Sequence, residues 1–240
     1  FGGDQGYLKG VSSYAEKPLT LPFKGVPVPL GGLDWLTLDL LRLAALDLIP
    51  LSLLQEGRLS VPLVEADLHA AVSTLCRRLE LPMPKASGEA GSQSLLWMAR
   101  AFGFQRVVAG QERRQDADYF LAGATVPPED RLLAAFLTRR GLVPAPLWGG
   151  EPTLRDGLPV LARLAQELDP VEFAEGTLLK DGQVRRKGGG PEPFPLGEPL
   201  ILAEEAPGGS LKWRAEADIQ VGDRVRWLPG EGGARLLVRR

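Results

Sequence analysis

Val61-Pro62-Leu63-Val64-Glu65-Ala66-Asp67-Leu68-His69-Ala70-Ala71-Val72-Ser73-Thr74-Leu75-Cys76-Arg77-Arg78-Leu79, residues 61–79, is the stretch on which the fold turns. Val64, Leu68, Ala71, Val72, Leu75 and Leu79 recur at three- and four-residue steps, so they form one apolar stripe on a helix that begins after Pro62. Pro82 and Pro84 end that helix, because proline lacks the donor a further turn needs. A helix that is apolar on one face must bury it against other elements, which directs attention to its neighbours.

Downstream, a Ser/Gly loop at 87–92 leads into a helix from Ser92 to about Phe104, with Leu95, Leu96, Ala99 and Phe102 facing inward and Trp97 and Met98 as partly buried flanks. Pro127-Pro128 open another helix through Leu132, Leu133, Phe136 and Leu137, stopping near Gly141. A further one runs from about Asp156 to Leu168, with Pro159 tolerable in its first turn. Upstream, Asp34 is the candidate N-cap of a helix carrying Trp35, Leu36, Leu40, Leu43 and Leu46 to Leu48, stopped by Pro50. Residues 1–32 are rich in Gly, Pro and Lys and read as an extended segment and linker. The helices contain an echo: Leu48-Ile49-Pro50, a loop, then Pro62-Leu63-Val64 and a helix match Leu142-Val143-Pro144, a loop, then Pro152-Thr153-Leu154 and a helix.

Past Asp169-Pro170 the texture changes to short apolar runs between Gly-rich turns: Leu178-Leu179 before Asp181-Gly182, Pro199 to Leu202, Leu211 to Ala215, Val221 to Leu228, and Leu236 to Val238. Val221, Val225 and Trp227 alternate with Gly222, Arg224 and Arg226, as in a half-buried strand. The fold class expected is α+β. An extended segment at 1–32 precedes a helical module of about five helices at 33–170, followed at 171–240 by a small antiparallel β-barrel or sandwich, since closure hides strand edges.

The 240 residues are 44% hydrophobic and 24% charged, which suits a folded chain with a core. Net charge is −2 and no dense Lys/Arg patch carries interleaved aromatics, so nucleic acid is not an expected partner. No apolar run approaches the length of a membrane span. With one histidine and one cysteine, a Cys/His zinc set cannot be assembled within the chain, and no cofactor is implied. His69, next to Leu68, reads as a flank of the stripe and Cys76 as a small buried hydrophobe. Glu65 with Asp67, Glu129 with Asp130, and Glu204 with Glu205 are the carboxylate pairs that glycoside chemistry would call on. Their placement at helix starts or a strand end favours a structural use, since acidic groups suit the positive end of a helix. Arg185-Arg186-Lys187 before Gly188-Gly189-Gly190 forms a basic loop able to touch anionic polymer or headgroups. The 171–240 segment balances eleven basic against eleven acidic residues, so a solvated loop is its plain reading.

Two resemblances follow from these residues. Phe1-Gly2-Gly3-Asp4-Gln5-Gly6-Tyr7-Leu8-Lys9-Gly10-Val11-Ser12-Ser13 resembles the stretch that ends the conserved domain of stage II sporulation protein D and the amidase enhancers, which remodel peptidoglycan. Tyr7 matches that motif's aromatic, and the family's acidic catalytic residue belongs to an earlier motif that this chain lacks. The helical echoes resemble surface-layer homology units: Gly141-Leu142-Val143 and Thr153-Leu154-Arg155-Asp156 fit the second unit with Leu154 intruding, whereas Leu63-Val64-Glu65-Ala66 departs from the polar motif. The resemblances imply an exported, cell-envelope protein whose catalytic part and export signal lie upstream of Phe1. Peptidoglycan or secondary cell-wall polymer is the implied partner, met through Tyr7, Thr153, Arg155 and Asp156. A complete hydrolase with a cleft between helical and β parts, and a purely structural interaction module, are the alternatives.

Overall fold

A computed structural model describes residues 38–50, 53, 56–108, 114–205, 211–213, 220–229 and 233–239. The expected extended segment at 1–32, the N-cap at Asp34 and Tyr7 lie outside the described residues. The chain forms two compact units, one of residues 47–170 and one that joins residues before 47 to 171–240.

In the first unit the helices are α2 (Glu56–Leu59), α3 (Glu65–Arg78), α4 (Ser92–Ala101), α5 (Phe104–Val108), α6 (Arg114–Phe120), α7 (Arg131–Arg139) and α8 (Leu154–Leu168). The stripe on α3 is buried as its periodicity requires: Leu68, Val72 and Cys76 are fully buried, Ala71 and Leu75 nearly so. It packs against α4 and α8. The helix expected over 92–104 breaks at Gly103, where a backbone φ of +79° suits glycine and starts the separate α5. Trp97 and Met98 are core residues rather than flanks, at 6% and 0% exposure, because α4 is covered on more than one side, by α3, α5 and α8. Pro159 is the sixth residue of α8, two residues deeper than expected and past the first turn. The cost of its missing donor is offset by a helix whose Leu154, Leu158, Leu161 and Leu164 are all buried.

The echo units are joined. Pro62 and Thr153 form an antiparallel bridge, with Leu63 N–H donating to the Pro152 carbonyl at 2.8 Å and Leu154 N–H to the Val61 carbonyl at 3.0 Å. On its other side the 61–64 segment bridges Ala90, with Gly91 N–H on the Leu63 carbonyl at 2.8 Å. One short ladder therefore sits at the starts of α3, α4 and α8.

The second unit holds helix α1 (Leu38–Ala45) and strands β1 (Ala174–Leu178), β2 (Gln183–Arg186), β3 (Pro191–Pro193), β4 (Leu196–Glu205), β5 (Leu211–Trp213), β6 (Arg224–Leu228) and β7 (Ala234–Arg239). Helix α1, expected within the 33–170 module, lies against β7 and β4 instead. The Arg42 guanidinium stands 5.2 Å over the Phe173 ring, and Arg226 stands 5.9 Å from the same ring. The strands form one open sheet in the order β3-β2-β1-β6-β7-β4-β5. Neighbours from β3 to β7 are antiparallel, and β4 joins β7 in parallel.

The fold is mixed helix and sheet, as expected, but the expected barrel or sandwich gives way to this single open sheet. After β3 the chain crosses to the far side of β7, so β3 and β5 end the sheet without meeting. Pro191 and Pro193, which lack N–H donors, suit β3 to such an edge. At the β1–β2 turn Asp181 and Gly182 take φ of 57° and 69°, the left-handed geometry an Asp-Gly pair supplies. The core beneath these strands gathers Leu178, Val184, Phe194, Val225, Trp227 and Leu237, with the Phe194 and Trp227 rings edge to face at 5.3 Å.

Candidate functional site

In the helical unit the polar groups of greatest chemical promise are turned to holding the chain. Glu65, the first residue of α3, is 2% exposed. Its carboxylate accepts the Ser87 N–H at 3.1 and 3.0 Å, the Ser87 hydroxyl at 2.7 Å and the Glu89 N–H at 3.1 Å. Burial pushes its pKa up, but the donors from Ser87, Glu89 and Gly88 outweigh that and hold it below the ordinary carboxylate value. Glu65 thus serves as an ionised clasp on the 87–89 loop, whereas a general acid needs a raised pKa. Asp130 is 4% exposed and pairs with Arg100.

Of the residues expected to meet polymer, Thr153 and Asp156 come together: the Thr153 N–H and hydroxyl donate to Asp156 Oδ2 at 2.8 and 2.7 Å, capping α8. Arg155 between them is exposed. Directly after, Gly157 faces Leu63 so closely that a Cβ there would lie 2.5 Å from Leu63 Cδ1. This tight seat accompanies the ladder that ties the two echo units.

His69 stacks on Trp97 with ring centroids 5.8 Å apart, its Nδ1 lying 3.4 Å from the Ser73 hydroxyl. Trp97 Nε1 donates to the Lys85 carbonyl at 3.0 Å, so the 81–85 segment is pinned as well. Cys76 is fully buried, and burial pushes its thiol pKa up, which opposes formation of a thiolate nucleophile. Among the described residues no three His, Cys, Asp or Glu side chains gather where they could hold a metal ion. No helix of the described residues is long and apolar enough to cross a membrane.

The sheet unit presents a different surface. Thr177 on β1 is paired across the ladder with Arg185 on β2 and with Arg224 on β6, so the three side chains stand in one row on one face. Their face is opposite the core, since Leu178, Val184 and Val225, each one residue along, are buried beneath. With Lys187 and Glu175 they line an open trough of about 370 Å³. Arg185, Lys187 and Arg224 are exposed.

Arg186, on the other face, pairs with Glu192 at 2.5 Å and lies 5.4 Å over the Trp227 ring. The spacing of β1 and β2 depends on Gly176: a Cβ there would lie 2.7 Å from Val184 Cγ2 and 2.9 Å from the Arg185 carbonyl oxygen. The basic run at 185–187 was visible in the sequence. Its partner Arg224, nearly forty residues on, was not, because only the strand register brings it alongside. Compared with known proteins, the chain matches no family model, no curated protein and no solved structure.

Proposed function

We propose that this chain is a binding segment of an exported protein that remodels peptidoglycan, and that its work is to hold an upstream catalytic part on the cell wall. The observation that carries this reading is the row Arg185–Thr177–Arg224, two exposed guanidinium groups flanking a hydroxyl on one face of the sheet, a donor set that suits oxyanions. The thirteen residues at 1–13 that resemble the sporulation-D stretch support the wall as its setting. A positioning role fits the uses of Glu65, Asp130 and Asp156, whose carboxylates hold a loop, an arginine and a helix start. Tyr7, Thr153, Arg155 and Asp156 belong to the same reading as residues of polymer contact, with Arg155 the exposed one of the α8 set. The test is co-sedimentation of the purified chain with isolated peptidoglycan sacculi at physiological salt. The expected result is a saturable pelleted fraction, and a chain that stays in the supernatant at every sacculus concentration refutes the reading.

A further inference from the structure

The trough on the sheet unit has features that specify its ligand more narrowly than "wall". Adjacent strands lie about 4.8 Å apart, so the Arg185 and Arg224 backbones, two strands apart, are about 10 Å from one another with the Thr177 hydroxyl between. Each guanidinium offers a planar fork of donors that fits the paired oxygens of a phosphate or a carboxylate. Lys187, two residues past Arg185, and Glu175, two residues before Thr177 on the same face, line the trough beside the row; Glu175 is the one acid there and stands opposite Arg226 in the ladder. Among the described residues, Arg185, Lys187 and Arg224 enter no ion pair, whereas Arg186, Arg131 and Arg140 each have a carboxylate. The cations are concentrated locally, since the 171–240 segment as a whole is charge-balanced.

We infer that the row Arg185–Thr177–Arg224, with Lys187, binds a linear polymer that carries phosphate or carboxylate groups. The polymer crosses β2, β1 and β6, with successive anionic groups in the two arginine forks and a hydroxyl of the chain on Thr177. An open trough suits a segment of polymer better than an enclosed small molecule. No aromatic side chain lines it, so the bases of a single-stranded nucleic acid have nothing on which to stack. Among the residues that line the trough the one large apolar side chain is Val225, which is buried, so the trough itself offers no apolar anchor to a lipid surface. An anionic glycan or polyol polymer is what remains favoured by the chemistry.

This inference rests on the proposed wall role for the source of the polymer, and the two fail separately. The experiment titrates the whole chain with poly(glycerol phosphate) and with polygalacturonate, followed by calorimetry, beside an uncharged chitin oligosaccharide and oligo(dT). Binding to at least one polyanion is expected, weakened by added salt, and the two arms show whether phosphate or carboxylate is the preferred group. R185E/R224E is expected to lose about tenfold or more in affinity. R185Q/R224Q, which removes charge without reversing it, is expected to fall between, and K85E in the helical unit to bind as the parent does. Circular dichroism identical to the parent's establishes that the variants are folded, which surface positions on strands permit. Absence of binding to both polyanions, unchanged affinity in R185E/R224E, or oligo(dT) bound as tightly as either polyanion overturns the inference. Polyanion binding without pelleting on sacculi removes the wall role and leaves the site; pelleting without polyanion binding does the reverse.

Discussion

The helical unit and the sheet unit use charge in opposite ways. In the helical unit the carboxylates of Glu65, Asp130 and Asp156 are drawn to donors within the fold, and hold a loop, the Arg100 side chain and a helix start respectively. In the sheet unit the polar side of the sheet is open around Thr177, where Arg185 and Arg224 share a row with no acid directly opposite. Buried polar groups are costly unless satisfied, so the first pattern stabilises a fold and says little about ligands. Exposed cations contribute little to stability, so the second pattern is better explained by what it can bind.

The strongest way to separate the units is to empty the core of one. Trp227 is fully buried against Phe194, and W227A is expected to cost about 3–5 kcal/mol. Amide hydrogen exchange should show protection lost in 174–178 and 224–228 while 65–78 and 154–168 keep theirs; equal loss in both would mean one cooperative unit. Next in size is the clasp in the helical unit. E65A leaves the Ser87 and Glu89 donors buried without their acceptor and is expected to cost about 2–4 kcal/mol in urea unfolding.

The sign of its pH dependence follows from the lowered pKa of Glu65. Its stabilisation is complete above the ordinary carboxylate value of about 4.3 and is lost as pH falls through the lower folded value. E65Q should therefore be less stable than the parent at neutral pH, with the gap closing in acid. A gap that widens in acid would contradict the clasp.

Smaller effects probe the joint between the echo units. G157A brings a Cβ against Leu63, which is itself fully buried, and is expected to cost about 1–3 kcal/mol. L63A on its own opens a cavity, and in the double variant the two changes should cost less than their sum, because the small side chain relieves the clash. Strict additivity would argue against this contact. T153A removes the hydroxyl of the α8 cap and is expected to cost about 1 kcal/mol, read from the thermal midpoint; no change would mean that the Thr153 N–H alone secures Asp156.

Much of the helical unit was legible because its elements announce themselves locally. The stripe from Leu68 to Leu75, the stop at Gly141 and the burial of Cys76 all follow from spacing and residue type. Helix α6 was missed, since Arg114-Gln115-Asp116-Ala117-Asp118-Tyr119-Phe120 shows no apolar stripe in sequence; its Ala117 is buried whereas Tyr119 is 79% exposed. The sheet was harder to read. Alternation identified β6 as a strand, but the parallel meeting of β4 with β7 and the placement of α1 against them are long-range choices with no local signal. The same applies to the candidate site. Arg185 lay in a basic run that could equally be a solvated loop, and only the shared register with Thr177 turns it and Arg224 into a row.

The measurement that bears most directly on this assignment is the pelleting of R185E/R224E on isolated sacculi beside the parent chain, at equal concentration and physiological salt. The expected result is a pelleted fraction that falls by about tenfold at sub-saturating sacculi. Equal pelleting of the two folded proteins would contradict the placement of wall binding on the sheet unit.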